Sequence, residues 1–164
     1  MQILKMGDEV LRRSCLPIEH VDERLKSLIS QMFVTLEESN GIGLAAPQVG
    51  YNIRLFIVKL DDMDGMTFIN PQVLHTSEAV CTMEEGCLSI PKIYEKVSRP
   101  KEITLQYMDI NGKKQLLTAS GLLARVIQHE NDHLNGVLFL DRIAESKREK
   151  AIAKFEKIMR KVRV

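Results

Sequence analysis

The run His129-Glu130-Asn131-Asp132-His133 is the sharpest chemical signal in the chain. An α-helix turns about 100° per residue, so side chains four apart lie about 40° from one another on one face, a turn apart. Two imidazoles so placed can converge on one cation at about 2.0–2.1 Å. Glu130 falls beside them, close enough to exchange a proton with a water on that cation. Asp132 flanks the pair and is expected to orient His129 from behind. Two imidazoles leave a catalytic site one protein ligand short. The residues leave two routes open. A downstream carboxylate from Glu145, Glu149 or Glu156 completes a His2Glu set, and an upstream thiolate from Cys87 completes a His2Cys set.

Two glycine-containing segments hold further candidates. Glu84-Glu85-Gly86-Cys87-Leu88-Ser89 places a thiol directly after a glycine in an extended stretch before Pro91. A nucleophilic thiol with a histidine base is the rival reading of Cys87, but a cation on the helix would compete for that thiolate. Cys15 and Cys81 read as small buried hydrophobes. In Gly41-Ile42-Gly43-Leu44-Ala45-Ala46-Pro47-Gln48 the glycines allow backbone to approach a ligand. No Gly-Lys-Ser/Thr follows, so this is not a phosphate loop. Gln48 offers an amide that can donate to a polarised carbonyl.

Residues 21–40 position the first glycine segment. Leu25, Leu28, Ile29, Met32, Phe33 and Leu36 recur at helical spacing, and Asn40-Gly41 ends the helix. Residues 54–60 (RLFIVKL) read as a strand and 61–65 as a solvated turn. That turn is acidic but lacks the first ligand position of a calcium loop. Short strands are expected at 67–69, 73–75, 87–90 and 93–97. Residues 102–109 and 114–118 flank Asn111-Gly112, a hairpin signal. Residues 120–135 carry the histidine motif on a helix. Residues 145–161 form an amphipathic helix with Ala151, Phe155, Ile158 and Met159 on one side. One helix, a run of strands, then helices predict an α+β fold, with short antiparallel strands around a central metal-binding helix and an amphipathic C-terminal helix.

The 164 residues suit one domain, with 142–164 as a basic helical tail. Three cysteines without a framework spacing argue against a disulfide scaffold. The net charge of +1 conceals an asymmetry: the tail has nine Lys/Arg against three Glu, and the rest of the chain carries an acidic excess. No apolar run approaches the ~20 residues of a membrane span, and no secretory leader is visible, so the cytoplasm is the expected compartment. Aromatic residues are 5% and Trp is absent, so a nucleic-acid-binding module would have to rely on the tail alone.

The segments GIGLAAPQ, EGCLS and HENDH, in that order, resemble the GxGLAAxQ, EGCLS and HExDH patterns of the peptide deformylase family, and residues 3–141 are similar to its bacterial form. The resemblance implies a metallohydrolase that removes the N-formyl group from the formylmethionine of nascent polypeptides and releases formate. It selects Cys87, His129 and His133 as ligands of one divalent ion, usually Fe2+, with Zn2+ or Ni2+ able to substitute. Hydroxide generated at the metal attacks the formyl carbon, with Glu130 as general base and then acid. Gln48 and, by the resemblance, the Leu88 backbone N–H hold the oxyanion. Ile42, Leu122 and Val126 are expected to line an apolar pocket for methionine, with Tyr94 and Arg125 at its edge or facing solvent. The Gly43 and Gly86 backbones are placed to pair with an extended peptide. The basic tail then suggests contact with ribosomal RNA. The rivals are a His2Glu peptidase, a structural zinc protein with a closed fourth ligand, and a nucleic-acid-binding module.

Overall fold

The computed structural model describes residues 1–162. Asp22 opens helix α1 (Glu23–Glu38) by accepting a hydrogen bond from the Leu25 N–H at 2.9 Å. Asn40 ends it in the left-handed region at φ 56°, letting the Gly41 N–H reach the Leu36 carbonyl. After a short β1 (Gly43–Ala45) and a 3-10 turn (Ala46–Val49) come β2 (Leu55–Val58), β3 (Met66–Thr76), β4 (Val80–Cys87), β5 (Ile90–Pro100), β6 (Glu102–Met108) and β7 (Lys114–Ser120). Helix α2 (Gly121–Leu134) and helix α3 (Glu145–Val162) complete the described chain. The strands form a five-stranded antiparallel sheet in the order β1-β2-β3-β6-β7, plus a separate β4–β5 hairpin. The fold is α+β, as the element pattern predicts.

Alternation along β2 shows how the layers assemble. Its side chains point to opposite faces in turn. Leu55 and Ile57 join Leu25, Leu28, Ile29, Met32 and Leu36 of α1, while Phe56 and Val58 join Ala124, Val126, Ile127 and Leu134 of α2. Both faces of the sheet are thus covered, so α2 is buried nearly all round and can carry polar groups only where they are satisfied. A third cluster unites Ile90, Ile93 and Val97 of β5 with Leu138, Phe139 and Leu140 and with Ala151 and Phe155 of α3. Helix α3 therefore backs the hairpin that carries Cys87.

Several local expectations change. The strands expected at 67–69 and 73–75 are one strand, β3, with register shifts between Ile69 and Gln72 and between Val73 and His75. Pro71 cannot donate to the ladder, and Asn70 before it takes φ 49°, which produces the bulge. The strand expected at 87–90 is divided: Cys87 ends β4 and pairs with Ile90, which opens β5, and Leu88 and Ser89 form the turn between them. Strand β4 itself was not expected before Cys87, because Val80–Glu84 lie mostly exposed on a two-stranded hairpin and lack the apolar alternation of a core strand. In the acidic turn at 61–65, the Lys59 ammonium donates to the Leu60 carbonyl at 2.8 Å and to the Met63 carbonyl. Beyond α2, Gly136 adopts φ 72°, and a Cβ there would stand 2.5 Å from the Arg12 carbonyl oxygen, so the close approach requires glycine.

Candidate metal centre

The elements deliver three ligand atoms to one point. His129 and His133 project from one face of α2, and Cys87 sits at the end of β4, where the bulge between Glu85 and Cys87 turns the chain. Their donor atoms all lie within 4.8 Å of one another, the only such group of His, Cys, Asp and Glu among the described residues. Cys87 Sγ is 3.4 Å from His133 Nε2. A tetrahedral ion with sulfur at ~2.3 Å and nitrogen at ~2.0–2.1 Å needs donors roughly 3.3–3.6 Å apart. The Cys87–His133 separation falls in that range, and a thiolate with two imidazoles suits several divalent metals. Glu145, Glu149 and Glu156 lie exposed on α3 and do not join this group.

Two buried carboxylates flank the ligands in opposite states. Glu85 accepts from four donors: His129 Nδ1 at 2.8 Å and Arg99 Nη2 at 2.9 Å on one oxygen, Arg99 Nε at 2.6 Å and Arg125 Nη1 on the other. Burial alone would raise its pKa, but the bonds from His129 and Arg99 bring it down to about 2. An ionised Glu85 only accepts, so His129 Nδ1 carries a proton and donates to it, which leaves Nε2 turned toward the site. Glu130 is the contrary case. Its Oε2 is buried with no partner, and its Oε1 is 4.0 Å from His129 Nε2. Desolvation dominates here and lifts Glu130 to about 7. His129 is opposed by burial, yet its contacts with Cys87 and Glu85 pull it up to about 10. Burial drives His133 the other way, well below the usual imidazole range.

Asp132 does not orient His129. It accepts instead from Arg99 Nη1 at 2.9 Å and from Arg142 Nη2 at 2.7 Å. Glu85 performs that task from the hairpin. Glu85 opens the EGCLS segment, but nothing in the spacing shows which acid will fold behind an imidazole 44 positions away. Ser89 was missed for the same reason. Fully buried, its hydroxyl accepts from Gln48 Nε2 at 3.0 Å, while Gln48 Oε1 accepts from the Ala45 N–H at 2.9 Å. These two bonds fix which end of the amide faces the ligands, and Nε2 stands 3.6 Å from Cys87 Sγ.

A cleft of about 490 Å³ opens onto this group. Ile42, Gly43, Gly86, Tyr94, Leu122, Arg125 and Val126 all line it, together with Gln48, Cys87, Leu88, His129 and Glu130. Ile42, Leu122 and Tyr94 are exposed at its mouth, and Val126 is buried. A Cβ on Gly43 would come within 2.8 Å of Glu130 Oε1 and 2.9 Å of Val126, so β1 can approach the helix only without a side chain there. Arg125 is 6% exposed and faces inward rather than to solvent. A larger groove, about 1130 Å³, lies between the N-terminal segment and α3 and contains none of these residues.

A buried glutamate with a free oxygen beside two imidazoles and a thiol sulfur, all facing an open cleft, has the parts needed to hydrolyse a carbonyl bond with metal assistance. Fold and site together define an α+β metal-dependent hydrolase. A profile of the polypeptide deformylase family matches residues 1–149. Peptide deformylase of Treponema pallidum is 48% identical over 155 residues, covering 94% of this chain and 95% of that one. The crystal structure of a peptide deformylase from Legionella pneumophila matches with a TM-score of 0.92 at 40% identity, over 97% of this chain and 95% of that one. The Synechococcus elongatus enzyme in complex with actinonin matches at 0.90 and 42% identity, over 93% and 86%. The chain belongs to the polypeptide deformylase family, whose members remove N-formyl groups from nascent peptides.

Proposed function

We propose that this chain hydrolyses the N-formyl group of formylmethionine at the start of nascent polypeptides and releases formate. The observation that carries the reading is Glu130 Oε2, a buried oxygen without a partner beside three converging ligand atoms. Cys87, His129 and His133 hold one divalent ion, for which we propose Fe2+, with Zn2+ or Ni2+ able to replace it. That ion, when bound, supplies Lewis acidity to water and to the formyl oxygen. Glu130 takes the proton of the attacking water and later delivers it to the leaving amine. Gln48 Nε2 and the Leu88 N–H donate to the oxygen on which negative charge develops. Ile42, Leu122 and Val126 enclose the methionine side chain, Tyr94 edges the cleft, and the Gly43 and Gly86 backbones run alongside the peptide. The proposed setting is the cytoplasm, where nascent chains emerge; no described helix is long and apolar enough to cross a membrane.

Formate release from formyl-Met peptides by protein loaded anaerobically with metal tests the reading. Activity is expected with one bound ion per chain, and it should fall steeply when methionine is replaced by aspartate. Equal rates on the two peptides would remove the apolar pocket.

The tail reading also has support in α3. Lys147, Lys150, Lys154, Lys157, Arg160 and Lys161 are exposed, while Ala151 and Phe155 face the core; Arg163, also counted as basic, lies outside the described residues. Truncation after Ser146 would strip Phe155 from the cluster behind the Cys87 hairpin, so charge reversal is the cleaner test. Replacing Lys150, Lys154, Lys157 and Lys161 by Glu is expected to abolish salt-dependent ribosome binding and to leave turnover of short peptides unchanged. Retained ribosome affinity would refute the contact.

A further inference from the structure

Helix α2 supplies two of the proposed ligands and the hairpin supplies the third, so the site exists only if these two elements hold a fixed relation. Apolar packing contributes little at this seam. Val126 and Ile127 of α2 belong to the sheet-side core, whereas Ile90, Ile93 and Val97 of the hairpin belong to the cluster with α3. Two buried arginines cross the seam instead. Arg99 starts on β5, binds Glu85 across the hairpin and reaches Asp132 on α2. Arg125 starts on α2, one turn before His129, and reaches back to three acceptors of the hairpin: Glu85, the Val97 carbonyl at 3.0 Å and the Cys81 carbonyl at 2.7 Å.

Stability does not explain the second arginine. Arg99 and His129 already satisfy both Glu85 oxygens. A buried guanidinium carries a desolvation cost, and an apolar side chain of similar volume is often neutral or better for stability. What Arg125 adds is geometry, because a planar fork with several donors fixes three acceptors on two strands at once. We infer that Arg125 is a positioning residue: it locks the Cys87 hairpin onto α2 and holds Glu85 against His129, so that the three ligands stand ready before metal arrives. It acts through Glu85 and the hairpin backbone and makes no contact with substrate, although it lines the cleft. This rests on the proposed ligand set but not on the deformylase reaction.

The test measures metal alone. Wild-type, Arg125→Leu and Arg125→Lys proteins are loaded with Zn2+, and transfer of the ion to excess chelator is followed without substrate. Altering residues that orient metal ligands typically costs about 10–100-fold in affinity, so Arg125→Leu is expected to release Zn2+ about 10–100-fold faster. Arg125→Lys, with one ammonium for three acceptors, should fall between. Formyl-peptide kinetics on fully loaded protein should show a lower kcat with KM little changed. If Arg125 instead binds substrate, release rates will match wild type while KM rises, and the inference fails. It fails equally if Arg125→Leu melts earlier but its folded fraction holds Zn2+ as wild type does. Should Arg125→Leu not fold, an Arg125→Lys release rate equal to wild type overturns the inference unaided. Loss of formate release with normal Zn2+ behaviour in the wild type would count against the deformylase reading and leave the positioning role standing.

Discussion

Protein with Glu130 replaced by alanine is expected to bind metal as the wild type does and to lose formate release by a factor of ~10²–10⁴ or more, the usual contribution of a positioned acid–base group. The expectation rests on what Glu130 does not do in the fold. Its Oε2 has no partner although the residue is 4% exposed. A buried carboxylate oxygen left bare costs free energy, and Glu85, on the hairpin that faces α2, shows how thoroughly this protein saturates a carboxylate when the purpose is structural. Removing Glu130 should therefore cost the fold little. The glutamine variant, which keeps the shape and cannot take up a proton, should lose nearly as much turnover as alanine. Metal content is checked by elemental analysis of both variants beside wild type, and kcat by formate release. A variant that turns over within a few-fold of wild type would strip Glu130 of the proton-transfer role.

The metal helix and its flanks were legible because they depend on local periodicity. His129 and His133 need only the i, i+4 spacing, and the α1 stripe from Leu25 to Leu36 needs only helical period; both are where the pattern puts them. The β6–β7 hairpin around Asn111-Gly112 followed from turn chemistry. What was not legible depends on pairing across long separations. Glu85 rather than Asp132 stands behind His129 because β4 folds past α2, and neither residue type nor spacing distinguishes two acids in that respect. Strand β4 was not legible because its exposed residues, Val80, Thr82, Met83 and Glu84, mix apolar and polar types without alternation, and Glu85 alone is buried. The inward turn of Arg125 is of the same kind. From sequence an arginine on a helix reads as a solvent-facing or rim residue, and only three acceptors on the far hairpin, 28 to 44 positions away, make burial affordable in free-energy terms.

Gln48 carries the second large expectation, and its geometry selects the substitution. Its Oε1 accepts the Ala45 N–H and its Nε2 donates to Ser89, so the amide is held from both ends, with Nε2 3.6 Å from Cys87 Sγ. Gln48→Glu keeps the shape and keeps an acceptor for Ala45. It removes the donor and places an acid where the oxyanion develops. Losing one such donor typically lowers kcat by about 10²–10³-fold, and the added negative charge should bring the loss to the upper end of that range or past it. KM should move less, because the ground-state formyl oxygen carries little charge for Nε2 to stabilise. Ser89→Ala separates holding from donating: the amide keeps Ala45 but loses its second anchor, so a smaller fall in kcat is expected. A carboxylate so near the ligands could also bind the ion, and Zn2+ release kinetics report that directly. If Gln48→Glu released Zn2+ at the wild-type rate and still produced formate within a few-fold of wild type, the donor to the developing charge would have to lie elsewhere, with the Leu88 N–H at the hairpin tip as the remaining group.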